Sequence, residues 1–222
     1  MAQGTGKRIG VVLAGCGYLD GSEIHEATVT LLELDRLGAT VRAAAPDVPQ
    51  MHVVDHLAGK PTAEKRGVLL EASRLVRGKI EPLSNLKASD LDAVVFPGGF
   101  GVAKNLCTFA VDGPKFKVEP QVERLVKEMH AAHKPMGFIC IAPVIAAKVL
   151  GDQHPRLTIG DDRETAAVLE GLGAKHVVCK VDEIAVDERL KVVSTPAYML
   201  GPTIAPVAAG IAKLVAKLIE LA

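Results

Sequence analysis

Short apolar runs recur along this chain, each giving way to a glycine- or proline-marked loop and then to a segment of helical periodicity. That alternation is its strongest constraint on fold. Ile9–Ala14, Thr40–Ala45, Asp92–Phe96 and Met136–Ile139 read as strands. Helices are expected over about Ser22–Leu37, Glu64–Val76, Val118–His133, a short stretch to Leu150, Arg163–Leu172 and Ile204–Leu221. Pro49–Pro61 reads as irregular or hairpin-like, and Leu157–Ile159 and Val177–Val178 as further short apolar runs. Ile184–Val186 and Val192–Ser194 flank Asp187-Glu188 as a possible hairpin. Repeated strand–loop–helix units pack with right-handed crossovers, which predicts a three-layer α/β/α sandwich around a mainly parallel sheet. With 222 residues and no repeat or linker, one domain over 1–222 is expected.

Charge and cysteine usage narrow the function. Lysine plus arginine and aspartate plus glutamate number 26 each, so no net field points toward nucleic acid or an anionic membrane. Five Phe, two Tyr and no Trp also argue against a base-stacking surface. Cys16, Cys107, Cys140 and Cys179 lie far apart without a CxxC pair, so neither a disulfide framework nor a metal site is indicated. The apolar run from Ile9 reads as a strand rather than a signal-peptide core, and no stretch reaches the ~20 apolar residues of a membrane span. The expectation is a protein of the reducing cytoplasm.

The segment Met136–Pro143, MGFICIAP, carries the chemistry. A strand runs into Cys140, and Ile141-Ala142-Pro143 then opens a helix, with Pro143 suited to the first turn. A residue at such a turn is pushed out at the sheet edge beside helix N–H groups, as at a nucleophile elbow. Positive potential there favours a thiolate, so a lowered Cys140 pKa is expected. The elbow alone does not separate a nucleophile from a buried core cysteine. Ligands of parallel sheets sit at strand carboxyl ends, where Pro97-Gly98-Gly99 and the loop from Gly15 to Glu26 also fall. Backbone N–H groups at Gly98 or Gly99, together with that of Ile141, suit an oxyanion hole.

Other residues leave alternatives open. Asp20 and Glu23 have capping-box spacing. Glu26 groups on a helical wheel with Thr30 and Glu33, away from Ile24 and Leu31, and on the residues alone reads as solvated. It becomes an acid/base only if the first helical turn borders the Cys140 pocket. His25 orients Glu26, binds substrate or is a plain helix residue; Cys16 lines the pocket, pairs with Cys140 on oxidation or simply packs. Lys104-Asn105 holds a substrate oxygen or caps a helix. Gly15-x-Gly17-x-x-x-Gly21 mimics a dinucleotide fingerprint, but the second strand ends Ala43-Ala44-Ala45-Pro46, without the acidic ribose-binding residue. His52 and His56 lack a third metal ligand.

GCGYLDGSEIHEATVTLLEL, VVFPGGFGVAKNL, GFICIAP, RLTIG and TPAYML together resemble the enhancing-lycopene-biosynthesis (ElbB, or sigma cross-reacting) proteins. These form part of the PfpI-like branch of the class I glutamine amidotransferase-like superfamily, and the likeness runs from Ile9 to the C-terminus. It implies a flavodoxin-like sandwich with Cys140 at the nucleophile elbow. It also implies a first-helix glutamate, at Glu26, meeting the sulfur, with Glu23 as pocket neighbour. The implied activity is a glyoxalase that turns a small dicarbonyl into a 2-hydroxy acid without glutathione, metal or other cofactor, in a homodimer. A non-catalytic redox-sensing or regulatory protein is the competing expectation. Ile141 stands where many relatives carry histidine after the nucleophile, and Ser194–Gly201 lacks the His-x-Glu of glutaminase domains. Peptidase and standard glutaminase chemistry are therefore not expected.

Overall fold

A computed structural model describes residues 6–222; residues 1–5, the head of the segment read as free of a signal core, lie outside it. In chain order the elements are β1 (Arg8–Val12), α1 (Ile24–Arg36), β2 (Thr40–Ala45), β3 (Val54–Asp55), β4 (Lys60–Pro61), α2 (Val68–Ala72) and β5 (Glu81–Pro82). Next come β6 (Ala93–Phe96), α3 (Phe109–Asp112), α4 (Pro120–Ala131), β7 (Met136–Ile139) and α5 (Pro143–Leu150). The chain finishes with β8 (Arg156–Leu157), α6 (Arg163–Gly171), β9 (Lys175–His176), β10 (Ala185–Asp187), β11 (Val192–Thr195) and α7 (Ile204–Leu221).

Seven strands form the central sheet in the order β10-β11-β7-β6-β1-β2-β5. All neighbours run parallel except the β10–β11 pair, so the expected hairpin supplies the antiparallel edge. Alternation along the strands then builds two cores. Ile9, Val11 and Val95 face one side, under α1, α2 and α7; Val12, Val94 and Phe96 face the other, under α4, α5 and α6. Both faces are covered, which is why the strands read as unbroken apolar runs. Phe96 and Phe138 stack at 5.0 Å between centroids on adjacent strands. The α/β/α sandwich with a mainly parallel sheet is the fold expected from the sequence.

Several boundaries differ, each for a local reason. The helix expected over Glu64–Val76 is α2 alone; turns carry the chain on to Gly78. Val177–Val178 does not form a strand, since β9 lies just before it and Val178 is 71% exposed. Val102–Leu106 adopts a wide π-turn that sequence periodicity did not signal. The capping box is also corrected. Glu23 is itself the α1 N-cap, its carboxylate accepting the Glu26 N–H at 2.7 Å, while Asp20 Oδ2 accepts the N–H of Val54 at 2.7 Å.

Candidate active site

β7 delivers Cys140 to the sheet edge, and the backbone there turns sharply to start α5 at Pro143. Cys140 takes φ +62°, a left-handed conformation disfavoured for a side-chain-bearing residue, and its N–H donates to the Thr195 carbonyl at 3.0 Å. A second left-handed residue, Ala197 at φ +45°, follows the adjacent strand β11. Each such residue costs on the order of 1 kcal/mol and persists only where its surroundings hold it. Ala197 turns the Tyr198 N–H onto Glu26 Oε1 at 3.2 Å.

Glu26 is the residue the helical wheel misjudged. It and Thr30 are fully buried, whereas Ile24 is 44% exposed, so the polar-looking stripe of α1 faces inward. Glu26 Oε2 accepts the Gly98 N–H at 2.9 Å, and the carboxyl is hydrogen-bonded to the Cys140 thiol. Burial, reinforced by the nearby Glu23 carboxylate, pushes Glu26 up to about 8. Burial first, then the Glu26 charge, also raises Cys140 well above the ordinary thiol value, against the expected thiolate. The magnitudes explain this: a helix terminus contributes up to ~2 kcal/mol, while full burial shifts pKa values by as much as ~3–5 units, or about 4–7 kcal/mol. Glu26 and Cys140 therefore form one buried pair in which each group raises the cost of ionising the other.

The glycines make this approach possible. A Cβ on Gly98 would lie 2.4 Å from Cys140 Cβ and 2.6 Å from Glu26 Oε2, so no side chain fits between the pair and the β6 loop. Gly99, at φ +98°, lets its N–H reach the Cys140 sulfur, as does that of Ile141. The Gly98 N–H is donated to Glu26, so within the expected oxyanion set only Gly99 and Ile141 point to the sulfur.

Above the pair opens a cavity of about 400 Å³, walled mainly by Tyr18, Phe100, Phe109, Ile141 and Met199, with Glu23, Tyr198 and Thr165 as its polar members. His25 stands at its margin, Nδ1 2.8 Å from the Tyr198 hydroxyl and 3.7 Å from Glu23 Oε1. Cys16 does not line this cavity. Asn105 is structural: its amide donates to the Ala14 and Asp20 carbonyls and accepts the Met51 N–H. Lys104 donates to the Leu19 carbonyl at 2.7 Å. Among the described residues no group of His, Cys, Asp and Glu is arranged to hold a metal. Sequence reasoning missed Tyr198, although β11 had been read as a strand and its following loop had to emerge beside Cys140.

A human protein, glutamine amidotransferase-like class 1 domain-containing protein 3, is 51% identical over 96% of this chain and 83% of its own length. The zebrafish ES1 protein is 38% identical, over 86% of this chain and 76% of its own. Both are mitochondrial proteins, which corrects the expectation of a cytoplasmic one. Separated thiols speak against an oxidising compartment, but they do not distinguish one reducing compartment from another. No helix among the described residues is long and apolar enough to cross a membrane. The crystal structure of an isoprenoid biosynthesis protein with amidotransferase-like domain from Ehrlichia chaffeensis matches with a TM-score of 0.90 and 33% identity, covering 97% of this chain and 99% of that one. The DJ-1/PfpI family profile matches residues 12–158, the stretch holding Glu26, Gly98, Gly99 and Cys140, and the chain belongs to that family within the class I glutamine amidotransferase-like superfamily.

Proposed function

We propose that this chain is a weak, cofactor-independent glyoxalase of the ElbB type, converting glyoxal or methylglyoxal to the 2-hydroxy acid. One observation carries the reading: a buried carboxyl, pushed up to about 8, lies against an elbow thiol at the floor of an apolar cavity. A carboxyl with that value both accepts and returns protons near neutrality. The alternative of oxidation at Cys140 is disfavoured by the same burial, because oxidation follows thiolate character and exposure.

The chemistry balances within the pair. As the Cys140 sulfur attacks the aldehyde carbon, Glu26 takes the thiol proton and returns it to the aldehyde oxygen, giving a hemithioacetal. In this reading the Gly99 and Ile141 N–H groups, which point to the sulfur, donate to that oxygen as it gains charge. Glu26 then removes the hydrogen on the sulfur-bearing carbon and delivers a proton to the neighbouring carbonyl carbon through an enediol. The product is a 2-hydroxyacyl thioester. Water cleaves it, restoring the thiol and releasing the acid. One carbon is oxidised and its neighbour reduced, so no external electron acceptor enters.

The test is product formation from glyoxal and methylglyoxal, without glutathione and with chelator present. Wild type is expected to release many equivalents of glycolate or lactate per chain. Cys140→Ala and Glu26→Gln should each lose at least about 100-fold in kcat/KM. Consumption of a single equivalent of aldehyde, with no acid released, overturns the glyoxalase reading.

A further inference from the structure

The reacting atoms of a small dicarbonyl need little of the space above Cys140. At about 400 Å³ that cavity falls within the ~300–1,000 Å³ of sites that enclose drug-sized ligands. Glyoxal has no side chain and methylglyoxal only a methyl group, so either leaves most of the volume unfilled. Three aromatic rings form much of the walls, and each is braced from behind. Tyr18 meets the His56 ring edge-on at 5.4 Å, and Phe109 meets buried Phe116 edge-on at 5.3 Å. Phe100 has its N–H on the Tyr18 carbonyl at 2.8 Å and the Lys104 ammonium 5.6 Å from its ring centre. Tyr18 and Phe100 are nonetheless 50% and 52% exposed. Rings fixed beside a cavity yet left half in water gain burial only when the cavity is filled.

The polar groups of the cavity serve other partners. The Tyr198 hydroxyl is on His25 Nδ1 at 2.8 Å, the Thr165 side chain is engaged with Asp162, and Glu23 Oε2 accepts the Glu26 N–H at 2.7 Å. Among the described residues no lysine or arginine lines this space, and its one carboxylate besides the buried pair is that of Glu23. The loop after β1 also borders a second cavity, of about 290 Å³, which shares no wall residue with the first and is lined by Cys16, Asp20, Glu64, Arg66 and Glu71 among others. There charge meets charge, Arg66 pairing with Glu64 at 2.7 Å and with Glu71 at 3.2 Å. The Cys140 cavity has no such counter-charge, so an anionic substituent entering it would be desolvated beside Glu23 with nothing to pair it.

We propose that the Cys140 cavity selects uncharged carbonyl compounds bearing an aromatic ring, with the ring among Tyr18, Phe100 and Phe109 and the carbonyl end at Cys140. Resting on the glyoxalase reading, its preferred substrates are then aryl 2-oxoaldehydes rather than glyoxal. Burial of the ring is remote from the reacting carbons, and such binding energy raises kcat/KM. The balance is that of the smaller substrates. The thiol adds to the aldehyde carbon, that carbon is oxidised to the carboxyl while the ketone carbon is reduced to the carbinol, and one water breaks the carbon–sulfur bond. Phenylglyoxal thus becomes mandelate.

Mandelate release from phenylglyoxal, compared with lactate release from methylglyoxal, tests this in the full chain. The aromatic substrate should have a kcat/KM at least about tenfold higher. Para-carboxyphenylglyoxal, the same ring with a negative charge, should fall at least about tenfold below phenylglyoxal. Phe100→Ala should lower the phenylglyoxal-to-methylglyoxal ratio by about tenfold, which separates ring binding from intrinsic reactivity. Should Phe100→Ala not fold, Phe109→Leu decides by the same ratio. Calorimetric titration with 2-hydroxyacetophenone and with hydroxyacetone, which have no aldehyde, reads the cavity without turnover, and the aromatic ketone should bind at least about tenfold more tightly. Lactate formation with no gain for phenylglyoxal, an equal rate for the charged ring, or an unchanged ratio in the variant overturns this inference and leaves the glyoxalase reading standing. No acid from any dicarbonyl overturns the glyoxalase reading, and equal binding of the two ketones then overturns the selectivity as well.

Discussion

Two cavities open from one loop, and they treat buried carboxyl groups in opposite ways. Glu26, fully buried, has an N–H on each oxygen and the Cys140 thiol beside it. Asp20, nearly as buried, has one oxygen held and one sealed in without a hydrogen-bond partner. Satisfied and desolvated, the first carboxyl offers a ligand a movable proton next to sulfur. The second carries unmet hydrogen-bonding capacity that the packed loop keeps out of a ligand's reach. Cys107 marks the limit of the comparison. Burial pushes its thiol up to about 12 and its hydrogen goes to the Val102 carbonyl, so it has neither a proton partner nor a cavity. A buried thiol becomes usable only where a carboxyl and an opening meet it.

The largest effect that sharpens this contrast is a pH dependence of stability. Glu26 sits at about 8 in the fold against an ordinary 4.5, so ionising it costs the folded chain more than the unfolded one. The stability involved is fully present below the unfolded value and is lost as pH rises through the folded one. Between about pH 4.5 and 8 the wild type should lose on the order of 4 kcal/mol that Glu26→Gln does not lose. Paired urea titrations across that range measure it, and parallel slopes would dissolve the distinction between the cavities. If the proposed glyoxalase activity is present, the same ionisation should appear as a rise in its kcat/KM toward pH 8.

Next in size is the close approach at Gly98. Gly98→Ala places a methyl 2.4 Å from Cys140 Cβ and 2.8 Å from the Ile139 carbonyl oxygen, where backbone leaves nothing to yield. A loss of about 3 kcal/mol in urea unfolding is expected, along with loss of the Glu26–Cys140 alignment. An equivalent change at Gly59, where a Cβ meets nothing within 4 Å, should cost about 1 kcal/mol, from its positive φ alone. The smallest effect is at Ala197. Ala197→Gly relieves a left-handed alanine and should leave stability unchanged or raise it by up to ~1 kcal/mol. Loosening of the Tyr198 N–H on Glu26 would then show as a lower activity in the more stable protein.

Much of this molecule was legible before its structure. Thr40–Ala45, Met136–Ile139 and Ile204–Leu221 match their elements residue for residue, because buried strands and a long amphipathic helix write their periodicity directly into sequence. Short pieces such as β5 and the π-turn at Val102–Leu106 did not, being too brief for a period and held by neighbours. Residue type misled at Glu26, Thr30 and Ile24, where the polar stripe is the buried one. A helical wheel ranks faces by polarity, and it fails where a site needs a carboxyl inside.

The sequence by itself determined the alternating strands and helices, hence the parallel sheet, and it put Cys140, Gly98, Gly99 and the start of α1 at strand carboxyl ends. Those features are local, set by hydrophobic period and by where glycine and proline stand. The family resemblance implied that Glu26 meets the thiol, though no local period did; tertiary structure alone decided that Cys140 is raised rather than lowered, and that Cys16 belongs to a different cavity. Desolvation and close approach are sums over residues from distant elements, with Gly98, Tyr198 and Glu26 meeting from β6, β11 and α1. No window of sequence contains that sum.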